Sequence, residues 1–266
     1  MPLSISLSRR RLLSVGACVL IGLGNQSRAD DSPVVAAASD LQFALEDAAA
    51  LFTRNTGKAI RLSFGSSGNF YRQIVQGAPF QLYLSADETY VLALHREGRT
   101  ENEGVLYAVG RIVVMVPHGS PLKADGSLTD VAAALDDGRL KRFAIANPEH
   151  APYGKRAQEA LRHAGLWDRI RPRLVFGENI SQAAQFVASG AAEGGIIAYS
   201  LALSPAIGRA GTFGLIPEDW HAPLRQRMAL TKSAGPTARE FYVFMQSEAA
   251  RAILGRYGFA LPRQTG

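Results

Sequence analysis

Short apolar runs alternate with segments of helical periodicity along most of this chain of 266 residues. Residues 34–38, 60–64 and 143–146 are typical of strands, and each run is followed by apolar residues that recur with a helical period. The unbroken apolar run at 113–116 is typical of a strand that is covered on both faces. This alternation predicts an α/β fold in which mainly parallel sheets are flanked by helices.

Residues 1–29 have the composition of an export signal. Three arginines at 9–11 precede a short apolar stretch at 12–23, and a small-x-small cleavage site ends at Ala29. The apolar stretch is too short for a comfortable membrane span. The arginines resemble a twin-arginine signal, with Sec export as the alternative. We therefore expect a periplasmic protein.

The expected signal also carries most of the excess positive charge. The chain has 29 basic and 23 acidic residues, a net charge of +6, but four of its arginines lie within residues 1–29. The nearly balanced remainder requires neither nucleic acid nor anionic lipid as a partner. The only cysteine, Cys18, lies in the signal and the five histidines are scattered. We therefore expect no disulfide, no metal site and no cofactor.

Two of the strand-like runs end directly in small hydroxyl residues. Residues 34–38 lead into Ser39, and residues 60–64 lead into a Gly-Ser-Ser-Gly cluster that contains Ser67. The first N–H groups of a helix lack partners and the peptide dipoles add there, so such junctions attract anions. An isolated serine at this position is also an ordinary helix cap. The cluster is neither a P-loop nor a nucleophile elbow.

Two later loops have the same layout. Residues 147–154 follow a strand and precede a helix that Tyr153 and Gly154 open, and in 178–181 Asn179 is a credible cap before Ile180. Taken singly, residues 147–154 are typical of a rigid connecting loop, and Ile180 is typical of a core residue. In open α/β sheets, however, ligands bind beyond the carboxyl ends of the strands, where these junctions lie.

Proline-rich breaker clusters at 117–121 and 217–223 suggest where the chain changes lobe. We expect residues 30–111 to form the first part of lobe 1 and 112–221 to form an inserted lobe 2. Residues 222–266 would then return to lobe 1.

Six motifs occur in an order and at spacings that match a known family, at residues 36–39, 63–67, 85–87, 147–154, 195–197 and 256–259. Together they resemble the periplasmic molybdate-binding proteins of ABC importers. The resemblance implies a two-lobed type II periplasmic binding protein with its ligand cleft between the lobes. It further implies molybdate or tungstate as the ligand, a membrane permease as the partner, a monomer and no catalytic activity.

Matched motif by motif, the resemblance assigns the oxyanion contacts to four residues. Ser39 and Ser67 would each donate a hydroxyl and a backbone N–H, while Tyr153 and Ile180 would each donate a backbone N–H. These groups would contact molybdate oxygens, and none would bond to the metal itself.

Two further positions depart from the family pattern. Asp40 follows Ser39 and is a candidate for a further N–H donor, provided that its carboxylate points away from the dianion. The last family ligand, often a tyrosine, falls at Ala198, with Tyr199 one residue later. If Ala198 is the equivalent residue, this hydroxyl is missing.

Two alternatives to a molybdate-binding protein remain. A cage of neutral donors suits a tetrahedral dianion, and it would discriminate molybdate from sulfate by size alone, because both are fully deprotonated. A binding protein for another tetrahedral oxyanion such as sulfate is the nearest alternative. A periplasmic hydrolase with Ser39 or Ser67 as its nucleophile is a more remote one.

Overall fold

The computed structural model describes residues 32–262, so the expected signal at 1–29 lies outside the described residues. The strands are β1 (Val34–Ala38), β2 (Arg61–Gly65), β3 (Leu82–Ser85), β4 (Val105–Gly110), β5 (Ile112–Pro117), β6 (Phe143–Ala146), β7 (Leu174–Gly177), β8 (Gly194–Ala198), β9 (Gly211–Leu215) and β10 (Leu224–Leu230). The helices are α1 (Gln42–Thr56), α2 (Ser67–Val75), α3 (Glu88–Arg96), α4 (Thr129–Asp136), α5 (Pro152–His163), α6 (Trp167–Ile170), α7 (Ile180–Ala188), α8 (Tyr199–Ala202), α9 (Pro205–Gly208), α10 (Pro236–Phe244) and α11 (Glu248–Arg256). Short 3-10 helices span Ser39–Leu41, Arg171–Arg173 and Glu218–Trp220. Within residues 32–262, no helix combines the length and apolar character that a membrane span requires.

The strands form two five-stranded sheets, one in each lobe. The sheet of lobe 1 has the order β2-β1-β3-β10-β4, and that of lobe 2 has the order β7-β6-β8-β5-β9. In lobe 1, β1 pairs in parallel with β2 and β3, and in lobe 2, β6 pairs in parallel with β7 and β8. The other pairings are antiparallel. The prediction of a two-lobed α/β fold is confirmed, with sheets that are mixed rather than mainly parallel.

The antiparallel pairings all involve strands next to the points where the chain passes between sheets. β4 and β5 are separated by Arg111 alone, and residues 216–223 connect β9 to β10. Parallel neighbours need a long crossover, usually a helix, whereas antiparallel neighbours do not. The chain therefore changes sheet here without an intervening α-helix.

Both faces of the lobe 1 sheet are covered by helices. Along β1, Val35 and Ala37 belong to the core shared with α1, α10 and α11, whereas Ala36 packs with Phe70 of α2 and Val91 of α3. Successive side chains of a strand point to opposite faces, so a strand buried on both faces reads as an unbroken apolar run. This packing fixes where β1 ends and hence where Ser39 lies.

Candidate functional site

The loops that follow β1, β2, β3, β6 and β7 contribute to one small cavity. Its volume is about 10 Å³, far below the roughly 300–1,000 Å³ typical of pockets for organic ligands. Its lining residues are Ala38, Ser39, Asp40, Gly65, Ser66, Ser67, Ala86, Ala151, Pro152, Tyr153 and Ile180. No lysine or arginine is among them, as far as residues 32–262 are concerned.

Three lining residues lie in the first turn of a helix. Ser67 is the first residue of α2, Tyr153 the second of α5, and Ile180 the first of α7. Backbone N–H groups in a first turn have no carbonyl partner within their helix. Since Pro152 has no N–H, Tyr153 supplies the first donor of α5. Neutral donors from both lobes therefore surround the cavity.

Ser39 connects the end of β1 to the beginning of α7 in lobe 2. Its hydroxyl donates to Asn179 Oδ1 at 3.1 Å and accepts from the Ser181 N–H at 3.2 Å. The Ser181 hydroxyl donates to the carbonyl oxygen of Ser39 at 2.9 Å. A serine hydroxyl has one proton, so an anion bound here must compete with Asn179 for it.

Ser67 has a different set of partners. Its Oγ accepts from the Ala86 N–H at 3.0 Å, and its carbonyl oxygen accepts from the Tyr83 hydroxyl at 2.8 Å. The Ser67 hydroxyl can still donate its own proton, and no described residue takes it. Ser67 is thus the hydroxyl that is free to donate to an anion.

Asp40 lies in a buried polar network that joins the two lobes. Its Oδ2 accepts from the Tyr153 hydroxyl at 2.9 Å and from Gln226 Nε2 at 2.6 Å. Gln226 Oε1 in turn accepts from the Tyr107 hydroxyl at 2.7 Å. The Ser200 hydroxyl donates to the carbonyl oxygen of Asp40 at 2.8 Å. Because Tyr153 and Ser200 belong to lobe 2, the network spans the lobe boundary.

The Asp40 carboxyl group is strongly perturbed by this environment. Burial raises the pKa of Asp40 from 3.8 to about 7, and the hydrogen bonds from Gln226 and Tyr153 oppose the shift only in part. Its Oδ1 has no hydrogen-bond partner in the described part of the chain. Burial, reinforced by the neighbouring Asp40, also raises the pKa of the Tyr153 hydroxyl well above its ordinary value. Tyr153 therefore stays neutral and donates.

Five of the predicted contacts line the cavity, but Tyr199 and Ala198 do not. The Tyr199 ring packs edge-on against Phe213, with 5.7 Å between ring centroids, and lies beside Gly258. Gly258 has a left-handed backbone, with φ of 75°, and a Cβ there would come within 2.6 Å of the Tyr199 ring. This packing holds Tyr199 away from the cavity, while Ala198 has no side-chain donor.

The two lobes also touch directly next to Ser67. The Gly68 N–H donates to the carbonyl oxygen of His150 at 2.9 Å, and Ser66 Oγ lies 2.9 Å from His150 Nδ1. A Cβ at Gly68 would lie only 2.7 Å from that carbonyl oxygen, so glycine permits this approach. The lobes are therefore closed on each other around the cavity.

Sequence reasoning did not identify the residues that hold Asp40. Tyr107, Ser200 and Gln226 were not singled out, although one signal was available for Gln226. Along β10, Gln226 lies in phase with the buried Leu224 and Met228. A polar residue at such a position predicts a buried hydrogen-bonded side chain.

The fold and this closed site between two lobes define a class of protein. The profile of the family described as bacterial extracellular solute-binding protein matches residues 33–260. The chain belongs to this family.

Proteins similar to this chain point to a narrower group within the family. The molybdate-binding protein ModA of Rhodobacter capsulatus is 34% identical over 229 residues, which cover 85% of this chain and 87% of that protein. ModA of Escherichia coli is 31% identical over 255 residues, covering 94% and 97% respectively. The solved structure of the Azotobacter vinelandii periplasmic molybdate-binding protein matches with a TM-score of 0.78 and 31% identity, covering 87% of this chain and 100% of that chain. The resemblance drawn from the motifs is confirmed.

Proposed function

We propose that this protein is the substrate-binding component of an ABC importer for molybdate, and that tungstate binds in the same way. The observation that carries the proposal is the small cavity, free of lysine and arginine among the described residues, where N–H and hydroxyl donors from both lobes converge. The names of the relatives support molybdate as the ligand.

The physical chemistry of the ligand suits such a cavity. Molybdate is a tetrahedral dianion whose four oxygens all accept hydrogen bonds, so it needs no acceptor from the protein. A hydrogen bond to a charged acceptor contributes about 1.5–3 kcal/mol. Several such bonds support sub-micromolar binding after the association costs are subtracted. Sulfate has the same charge and shape, so the size of the closed cavity must separate the two anions.

The first experiment is a calorimetric titration of the protein lacking residues 1–29 with molybdate, with tungstate, and with molybdate in a large excess of sulfate. We expect one tight site for the first two anions and little competition from sulfate. Equal competition by sulfate would point to a general oxyanion-binding protein. No heat from any anion would overturn the proposal.

Serine variants test the assignment of the site. Ser67→Ala and Ser39→Ala should each weaken molybdate binding at least several-fold with the fold intact. The larger effect is expected for Ser67→Ala, because the Ser39 hydroxyl also bonds Asn179. Ser63→Ala is the matched control, since Ser63 lies in β2 outside the cavity lining. Unchanged affinity in both cavity variants would refute the assignment.

We propose further that the protein has no hydrolytic activity. The hydroxyls of Ser39 and Ser67 contact Asn179 and the Ala86 N–H rather than a histidine. Ser66 does contact His150, but this pair connects the two lobes. We expect no turnover of model esters, and ester hydrolysis that disappears in Ser39→Ala or Ser67→Ala would restore the alternative of a hydrolase.

The proposal also covers the export of the protein, its oligomeric state and its membrane partner. We expect export with cleavage after about Ala29, a monomer without cofactor, and delivery of the anion to a membrane permease. N-terminal sequencing and native mass spectrometry of the exported protein test the first two points. Stimulation of ATP hydrolysis by the reconstituted transporter, dependent on molybdate, tests the third.

A further inference from the structure

An acidic side chain lines the cavity that we propose for a dianion. Asp40 is the acidic residue among the lining residues, and only 1% of its surface is exposed. Its Oδ2 already accepts two hydrogen bonds, whereas its Oδ1 has no partner among residues 32–262. A fixed negative charge at this position would oppose the binding of an anion.

No cation compensates Asp40 in the described part of the chain. The side chains that contact its carboxyl are those of Tyr153 of α5 and Gln226 of β10, with Tyr107 of β4 behind Gln226. The backbone N–H groups of Asp40 and Leu41 also act to lower its pKa, and all of these groups are neutral. On α8, the titratable residue is Tyr199, and α7 has none. The charged or titratable residues on the other packed elements are either exposed or paired. Glu46, Asp47, Arg54, Lys155, Arg162 and His163 are exposed. Arg111, which follows β4, pairs with Glu218 at 2.9 Å, Arg156 pairs with Asp87 and Glu159, and Arg225 and Arg227 pair with Glu88.

We propose that Asp40 is protonated when the oxyanion is bound, so that binding of each dianion takes up one proton from solvent. This inference rests on the proposed function of the site. The proton would reside on Oδ1, because Oδ2 accepts from Tyr153 and Gln226. Protonated Asp40 then becomes one more neutral group in a cage of neutral donors.

Closure of the lobes explains why a proton would be taken up. Tyr153 and Ser200 come from lobe 2, so separating the lobes would remove them from Asp40 and admit water. In water an aspartate carboxyl has a pKa near 3.9 and is ionised at neutral pH. Closure buries the carboxyl and raises its pKa to about 7, and a dianion nearby raises it further.

Proton counting by calorimetry tests the inference. Molybdate is titrated at pH 8 into the wild-type protein in non-phosphate buffers of different ionisation enthalpy. The slope of the observed enthalpy against the ionisation enthalpy gives the number of protons taken up. We expect a value approaching one for the wild type and near zero for Asp40→Asn. Between pH 7 and pH 9, wild-type affinity should fall by up to tenfold per pH unit, and that of Asp40→Asn should change little.

Asp47→Asn is the matched control. Asp47 also accepts from a tyrosine hydroxyl, that of Tyr257 at 3.0 Å, but it is exposed on α1. Its variant should keep the wild-type proton count. An equal count in wild type and Asp40→Asn, or no uptake by the wild type, would overturn the inference while leaving molybdate binding established. Absence of binding in the wild type would instead refute the proposed function.

A second measurement applies if Asp40→Asn fails to fold. Infrared difference spectra of the wild type, recorded at pH 8 with and without molybdate, should show a new C=O band of a protonated carboxyl group. The same band should appear in Asp47→Asn. No new band in either protein would overturn the inference.

Discussion

Gly68 is the position where a single methyl group should hold the two lobes apart. A Cβ there would lie 2.7 Å from the carbonyl oxygen of His150 and 3.0 Å from its Cα. Both atoms belong to the backbone of lobe 2, so neither can rotate away as a side chain could. We predict that Gly68→Ala forces the lobes several tenths of an ångström apart and weakens molybdate binding.

The size of the effect follows from the contacts that would be strained. They are the hydrogen bond from the Gly68 N–H to His150 O and the contact between Ser66 Oγ and His150 Nδ1, each at 2.9 Å. At about 0.5–1.5 kcal/mol each, their loss amounts to about 1–3 kcal/mol. Molybdate should therefore bind roughly 5- to 150-fold more weakly.

Gly255→Ala is the matched control for this prediction. Gly255 lies within α11, and the nearest atom to a Cβ there is Leu261 Cδ1 at 3.8 Å, an ordinary contact. Alanine is preferred over glycine in a helix by about 0.5–1 kcal/mol, so neither substitution should lower stability through helix propensity. Calorimetry gives Kd and circular dichroism gives Tm. Wild-type Kd in a folded Gly68→Ala protein would refute the reasoning.

Three further predictions concern the lobe boundary, the core and pH. Arg156→Gln removes the ion pair with Asp87, at 3.1 Å across the lobes, and should weaken molybdate binding by about 1.5–3 kcal/mol, measured as Kd by calorimetry. Phe52→Ala empties a buried site against Phe241 and should lower the free energy of unfolding by about 3–5 kcal/mol in denaturant titrations, with little change in Kd for the folded protein. In the closed protein, the pKa of Asp40 is raised from 3.8 to about 7, so its contribution to stability, measured in saturating molybdate, is present below pH 4 and is lost as the pH rises to about 7. The Tm of the wild type should therefore fall relative to that of Asp40→Asn across this window, and parallel Tm curves would contradict the assigned shift.

The sequence predicted several strands from their apolar runs, but it missed β4, which has such a run, and β9 and β10, which do not. Residues 143–146 coincide with β6, and 34–38 coincide with β1. β9 contains two glycines and β10 contains two arginines and a glutamine, so neither has an apolar run. Both make only antiparallel pairings, which is why the sheets were expected to be mainly parallel.

The candidate site could be predicted only in part, for a related reason. Hydroxyl residues at strand ends are visible in the local sequence, because the strand, the junction and the helix are consecutive. The partners of Asp40 are not, since Tyr153 and Gln226 are 113 and 186 residues away along the chain. Which oxygen of Asp40 is left without a partner depends on how two lobes meet, and no local pattern encodes that.

Any selectivity between molybdate and sulfate must therefore depend on more than the hydrogen bonds to the anion. The two anions have equal charge and the same geometry, so a charged or hydrogen-bonding group that favours one also favours the other. The remaining variable is the size of the closed cavity, which depends on how closely the lobes approach. Gly68 against His150 and Asp40 against Tyr153 are contacts that fix this approach. It follows that Gly68→Ala should weaken discrimination against sulfate as well as affinity for molybdate.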